Sequence, residues 1–191
     1  RMAIVGFLGD THCNKVWTVD ALRKLAPHCD YMFQLGDFGF WPRHDMGNVF
    51  LKTLQKELEA LGRVLYWLDG NHEDHPMLSV MMTRKDEEGF AYSKKYPNIR
   101  YSGRGHIWTW GGRQLGSLGG AASVDRQWRT EGRDWFPGER ITEWDTVGFA
   151  GNELDVLLTH DAPQGAAVSS TFPAPAADKE LAAAGWRILR G

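Results

Sequence analysis

Three apolar runs, each breaking into a glycine-led turn that carries acid, amide or imidazole side chains, constrain this chain more than any other feature. Residues 2–8 lead into Gly9-Asp10-Thr11-His12, residues 31–35 into Gly36-Asp37, and residues 64–68 into a turn containing Gly70-Asn71-His72-Glu73. A fourth run, 156–158, is followed by Thr159 and His160. Glycine permits the tight backbone such turns need, and the carboxyl ends of parallel strands are where an open α/β sheet gathers its ligands. The pattern predicts strands that deliver polar donors to one sheet edge. Asp and Asn oxygens combined with His nitrogens suit a borderline divalent ion such as Mn²⁺, Fe²⁺, Zn²⁺ or Ni²⁺; a thiolate-rich set would have pointed to structural zinc. Taken singly, Asp10 and Asp37 read equally well as turn or helix-cap residues, and His160 as a core histidine. The set read together points to a metal.

The intervening segments have a helical period. Residues 18–25 place Val19, Leu22 and Leu25 on one stripe, closed by Pro27, and residues 48–61 place Val49, Leu51, Leu54, Leu58 and Leu61 on another. Strand and helix alternate, as in parallel sheets, and residues 2–8 read as a buried first strand. Downstream the pattern changes: residues 76–82 predict a short helix and 84–89 a surface loop. Residues 105–110 and 113–118 flank Gly111-Gly112, a two-residue turn that predicts an antiparallel hairpin. Residues 119–151, rich in Trp, Arg, Asp and Gly, predict loops roofing the site, with a helix over 139–149. A short breaker at 169–175 precedes a last predicted helix from Ala176. The chain has 191 residues and no repeat or Pro-rich linker, so one domain is expected over 1–191.

In order, D-x-H (Asp10, His12), G-D (Gly36, Asp37), G-N-H-E (Gly70 to Glu73) and a later isolated histidine (His160) resemble the calcineurin-like metallophosphoesterase family across nearly the whole chain. The resemblance implies an α/β fold: a two-sheet sandwich flanked by helices in four αββα layers, with the metal site at one edge. It implies a hydrolase with two divalent ions, Mn²⁺ foremost and Fe, Zn or Ni as alternatives. Asp10, His12 and Asp37 would hold the first ion; Asp37, Asn71 and His160 would hold the second, with Asp37 bridging. Such a pair polarises phosphate oxygens and acidifies a bridging water, so that hydroxide attacks phosphorus at neutral pH. His72 would be the catalytic acid. Glu73 and Asp161 are read as acceptors that orient turns or imidazoles, and His28, His44, His75 and His106 as surface or loop histidines, with His75 the nearest to an exception.

Within the roofing segment, Asp125, Arg126 and Arg129 are candidate substrate-binding residues, since guanidinium groups pair bidentately with phosphate. Trp128 and Trp135 could stack on a base; the competing reading is a solvated Arg-rich loop with tryptophans anchored in the core. The expected substrate is a phosphodiester of nucleotide or nucleic-acid type. A net charge of −2 excludes a strongly basic nucleic-acid binder on composition alone, and no apolar run is long enough for a membrane span. Two cysteines, Cys13 and Cys29, make no disulfide framework, so a cytoplasmic setting is expected. Members of the family close the site with a further G-H-x-H motif, and none follows His160. Three explanations stand: a natural chain that continues further, a degenerate relative with weak or single-metal occupancy, or ligands from another subunit. The first is preferred. The alternative function is a non-catalytic relative that binds a nucleotide or partner.

Overall fold

A computed structural model of the chain describes residues 2–162. Its first half alternates strand and helix as the periodicity predicts. β1 (Val5–Leu8) leads to α1 (Lys15–Leu25), β2 (Tyr31–Leu35) to α2 (Asp45–Leu61), and β3 (Leu65–Leu68) to α3 (His75–Met81). Three further strands follow, β4 (Arg84–Lys85), β5 (Ala91–Ser93) and β6 (Tyr96–Tyr101). One six-stranded sheet has the order β1-β2-β3-β6-β5-β4, parallel from β1 through β6 and antiparallel beyond. A second sheet holds β7 (His106–Trp110), β8 (Arg113–Leu118) and β9 (Val156–Thr159). The expected hairpin joins β7 to β8 through Gly111-Gly112, both left-handed, and β9 runs parallel to β8.

The central strands are apolar on both faces because each face has a partner. On β2, Met32 points to the helices with Leu51, Leu54, Leu58 and Trp67, while Phe33 points to the second sheet with Phe90, Trp108 and Trp110. Neighbouring side chains on a strand face opposite ways, so one short run feeds both cores. The result is two mixed sheets packed face to face and flanked by helices, an α/β sandwich. The predicted last helix and its preceding breaker lie outside the described residues.

Several boundaries differ from expectation. Asn14 caps α1 through its side chain, accepting from the Trp17 amide at 3.1 Å, so the helix starts at Lys15 rather than 18. α2 starts at Asp45, and its buried stripe is Phe50, Leu51, Leu54 and Leu58; Val49 falls off that stripe and is 45% exposed. Among the described residues β1 stands at one edge of its sheet, with Leu8 buried but Ile4 and Phe7 exposed. Arg84 and Lys85, expected in a loop, pair with β5 as the opposite edge, where charged side chains protect an open strand. The expected helix over 139–149 is two 3₁₀ segments, Pro137–Glu139 and Glu143–Phe149. A capping box between Thr142 and Asp145 starts the second. No helix among the described residues is long and apolar enough to cross a membrane.

Candidate metal centre

Because β1, β2 and β3 are parallel neighbours, their carboxyl ends open on one edge of the sheet, and the turns that follow them lie side by side. Buried Gln34 ties the first two together: its amide donates to the Gly9 carbonyl and accepts from the Gly36 amide, each at 3.1 Å. The backbone amides of Thr11 and His12 both donate to the Asp37 carbonyl, at 3.1 and 2.9 Å. Asp37 and His12 are left-handed, with φ of 49° and 42°, a conformation that persists in non-glycine residues only where the surroundings impose it. The leading glycines have a steric reason. A Cβ on Gly36 would collide with His160 Nδ1, and one on Gly70 with the Asp37 carboxylate.

The turns deliver five of the sequence-predicted residues to one place. His12 Nε2 lies 3.5 Å from Asp37 Oδ2 and 3.8 Å from Asp10 Oδ2. On the other side of the same carboxylate, His160 Nε2 lies 3.4 Å from Asp37 Oδ1 and 3.3 Å from Asn71 Oδ1. Asp10, His12 and Asp37 bring ligand atoms within 4.8 Å of one another. Asp37, nearly buried, thus presents one oxygen to each histidine. A family model for calcineurin-like phosphoesterases matches residues 4–189. The chain belongs to that family. No curated protein sequence matches it.

Calcineurin-like phosphoesterases are metal-dependent phosphoester hydrolases built on a dimetal centre. The donor chemistry of this chain fits such a group. His160 Nδ1 lies 2.8 Å from the Leu35 carbonyl, which fixes a proton there and turns Nε2 toward two oxygens, Asp37 Oδ1 and Asn71 Oδ1. An imidazole nitrogen converging with carboxylate and amide oxygens is a donor set that suits a borderline divalent cation. On the other half, two carboxylates and an imidazole converge. Asp37 is held in place by the His72 backbone amide, which donates to Oδ1 at 2.8 Å.

Behind the ligands lies a second set of polar anchors, largely unannounced by the sequence. Glu73, fully buried, accepts from the Gly39 amide at 3.2 Å and the Gly70 amide at 2.6 Å, so it clamps the second and third turns. Burial, reinforced by Asp37, pushes its carboxyl well above the usual range. Asp69 accepts from Arg104 Nη2 at 2.6 Å and Nε at 3.0 Å and from the Tyr101 hydroxyl at 2.9 Å. Burial alone would raise the Asp69 carboxyl, but Arg104 and His75 hold it well below its ordinary value. His75, read as a surface or loop histidine and the nearest to an exception, has its side chain buried, with Nε2 3.1 Å from the Gly70 carbonyl. Cys13 is a buried free thiol pointing at the Gly39 carbonyl, pushed up to about 11 by burial and by Glu73.

Residues 119–142 pack over the third turn. Asp125 Oδ2 lies 3.5 Å from His72 Nε2, and burial lowers the His72 imidazole below its usual value while Asp37 pulls the other way. The His12 and His72 rings meet edge to face at 5.3 Å between centroids. Arg129 is buried, donating to Ser123 Oγ at 2.6 Å and to the Asp134 carbonyl. Arg126 lies one layer out, its guanidinium 3.8 Å from the Trp135 ring centroid and bonded to the Arg129 carbonyl. Trp135 is core, whereas Trp128 is 72% exposed. Sequence reasoning missed Gln34, Asp69, Arg104, Ser123 and Glu139. Only Asp69 carried a signal, as the carboxylate directly before the third turn.

Proposed function

We propose that this chain hydrolyses phosphodiesters of nucleotide or nucleic-acid type, with Mn²⁺ as its working ion, in a reducing cytoplasmic setting. The observation that carries the hydrolase reading is the two-sided use of Asp37: Oδ2 faces His12 and Oδ1 faces His160, 3.5 and 3.4 Å away. Asp10, His12 and Asp37 would hold one ion, and Asp37, Asn71 and His160 the other. When bound, such a pair supplies Lewis-acid charge and a nucleophile at neutral pH. The chain's own residues do the rest. His72 is held beside Asp37 by its backbone bond, with His12 and Asp125 near its ring, and we assign it the donation of a proton to the departing oxygen.

The diester preference draws on the roof: exposed Trp128 offers a stacking face near Arg126 and Asp125, and Arg129 braces the loop that presents them. The unpaired state of Cys13 and Cys29 supports the reducing compartment. The test compares bis-aryl with mono-aryl phosphate turnover with added Mn²⁺, before and after chelation. The expected result is chelator-sensitive turnover that favours the diester. Faster monoester turnover overturns the substrate class, and no turnover with Mn²⁺, Fe²⁺, Zn²⁺ or Ni²⁺ overturns the enzyme. Arg126→Ala should raise KM for the diester; an unchanged KM removes Arg126 from the substrate site.

A further inference from the structure

Ser123 and Glu139 are almost wholly buried, carry none of the expected metal donors, and lie 52 and 68 positions along the chain from Asn71, yet their hydrogen bonds converge on its amide. Glu139 Oε1 accepts the Ser123 backbone amide at 2.8 Å, and Oε2 accepts the Ser123 hydroxyl at 2.6 Å. Arg129 Nη1, 3.6 Å from Glu139 Oε2, pairs the carboxylate's charge. The Ser123 hydroxyl has one proton and two lone pairs. A carboxylate only accepts, so the proton goes to Glu139. One lone pair takes Arg129 Nη1 at 2.6 Å, and the other takes Asn71 Nδ2 at 2.9 Å. Every valence of the hydroxyl is used, and only an N–H donor from Asn71 can complete it. The amide's nitrogen is therefore committed to the roof, and its oxygen is turned toward His160.

We infer that Glu139, acting through the Ser123 hydroxyl, is a positioning residue that dictates which end of the Asn71 amide faces the metal centre. The inference rests on the metal reading above. It makes the affinity of one half of the centre depend on a roof residue that touches no ion.

Glu139→Gln separates this role from simple packing, because it keeps the shape and reverses one bond. The Ser123 backbone amide still needs an acceptor, so the introduced side-chain amide must place its oxygen there and its NH₂ against Ser123 Oγ. With that NH₂ and Arg129 both donating, the hydroxyl proton is driven toward Asn71, whose amide must turn its oxygen to the roof and its nitrogen to the centre. An amide nitrogen does not ligate a divalent ion. In the full chain stripped of metal and titrated with Mn²⁺ by calorimetry, wild type should bind two ions. Glu139→Gln should weaken one of them by about 10- to 100-fold, the range for residues that orient a ligand, and leave the other within about twofold. In the double variant Glu139→Gln/Asn71→Asp, a carboxylate accepts the Ser123 proton and still offers oxygen to the ion, so affinity should return. Wild-type affinities in Glu139→Gln, or a double variant no tighter than Glu139→Gln, overturn the inference while leaving the dimetal reading intact. A wild-type chain that binds no Mn²⁺ overturns that reading itself. Should Glu139→Gln fail to fold, Ser123→Ala must show the same selective loss and Ser123→Thr must restore it; equal affinities in all three proteins overturn the inference as well.

Discussion

The two halves of the proposed centre would share Asp37 but differ in what stands behind them. Asp10 and His12 have side chains 55% and 52% exposed. His160, 11% exposed, is anchored through Nδ1 to Leu35, and Asn71 is anchored through Nδ2 to Ser123. One half is open and adjustable, while the other has its donors aimed in advance. A pre-aimed site loses less conformational freedom on binding, so the Asn71–His160 half should fill first and more tightly. The difference comes from topology: the exposed half follows β1, which stands at the sheet edge among the described residues, while the aimed half follows β3 and β9 and is bonded to the roof through Ser123.

The most severe way to break this comparison is to remove what the halves share. Asp37→Asn keeps a residue that tolerates the left-handed conformation and should lower diester kcat/KM by about 10³-fold or more, several kcal/mol of lost charge stabilisation. It should also abolish two-ion binding in calorimetry; a variant that still binds two ions refutes the bridging role. Next in size, Arg104→Met leaves the Asp69 carboxylate buried without its cation behind the aimed half, which costs about 3–5 kcal/mol. Denaturant unfolding of the metal-free chain measures it, and a loss below about 1 kcal/mol would show that Tyr101 and His75 suffice. Smaller again, His160→Gln should weaken the tighter Mn²⁺ step and His12→Gln the looser one, each by about tenfold or more. The reverse assignment would mean that exposure does not rank the halves. Smallest of all, Trp128→Ala should leave stability within about 0.5 kcal/mol but raise KM for a nucleotide diester about fivefold, the equivalent of about 1 kcal/mol of lost stacking. An unchanged KM makes Trp128 a bystander.

The turns that meet at the sheet edge were legible because a strand end followed by glycine and a polar side chain is a local pattern, written within a few consecutive residues. So was the β7–β8 hairpin, whose Gly111-Gly112 turn accepts left-handed backbone at both positions. What failed in reading depended on neighbours far away in sequence. Nothing near Ile4 and Phe7 announces that β1 has a partner on one side only among the described residues. Nor does the local sequence say that Arg84 and Lys85 would find β5, or that Arg126 would lie against Trp135 while Arg129 turned inward to Ser123.

By itself the sequence determined the family and the alternation of strand and helix, and it singled out Asp10, His12, Asp37, Asn71 and His160 as the residues we propose as metal donors. Tertiary structure alone decided how those donors are aimed. The orientation of the Asn71 amide follows from a hydroxyl 52 positions later and a carboxylate 16 positions beyond that, and the free nitrogen of His160 follows from a carbonyl at the end of β2. Donor identity is covalent and can be read residue by residue. Donor direction is a matter of hydrogen-bond valence, satisfied only when separate parts of the chain meet.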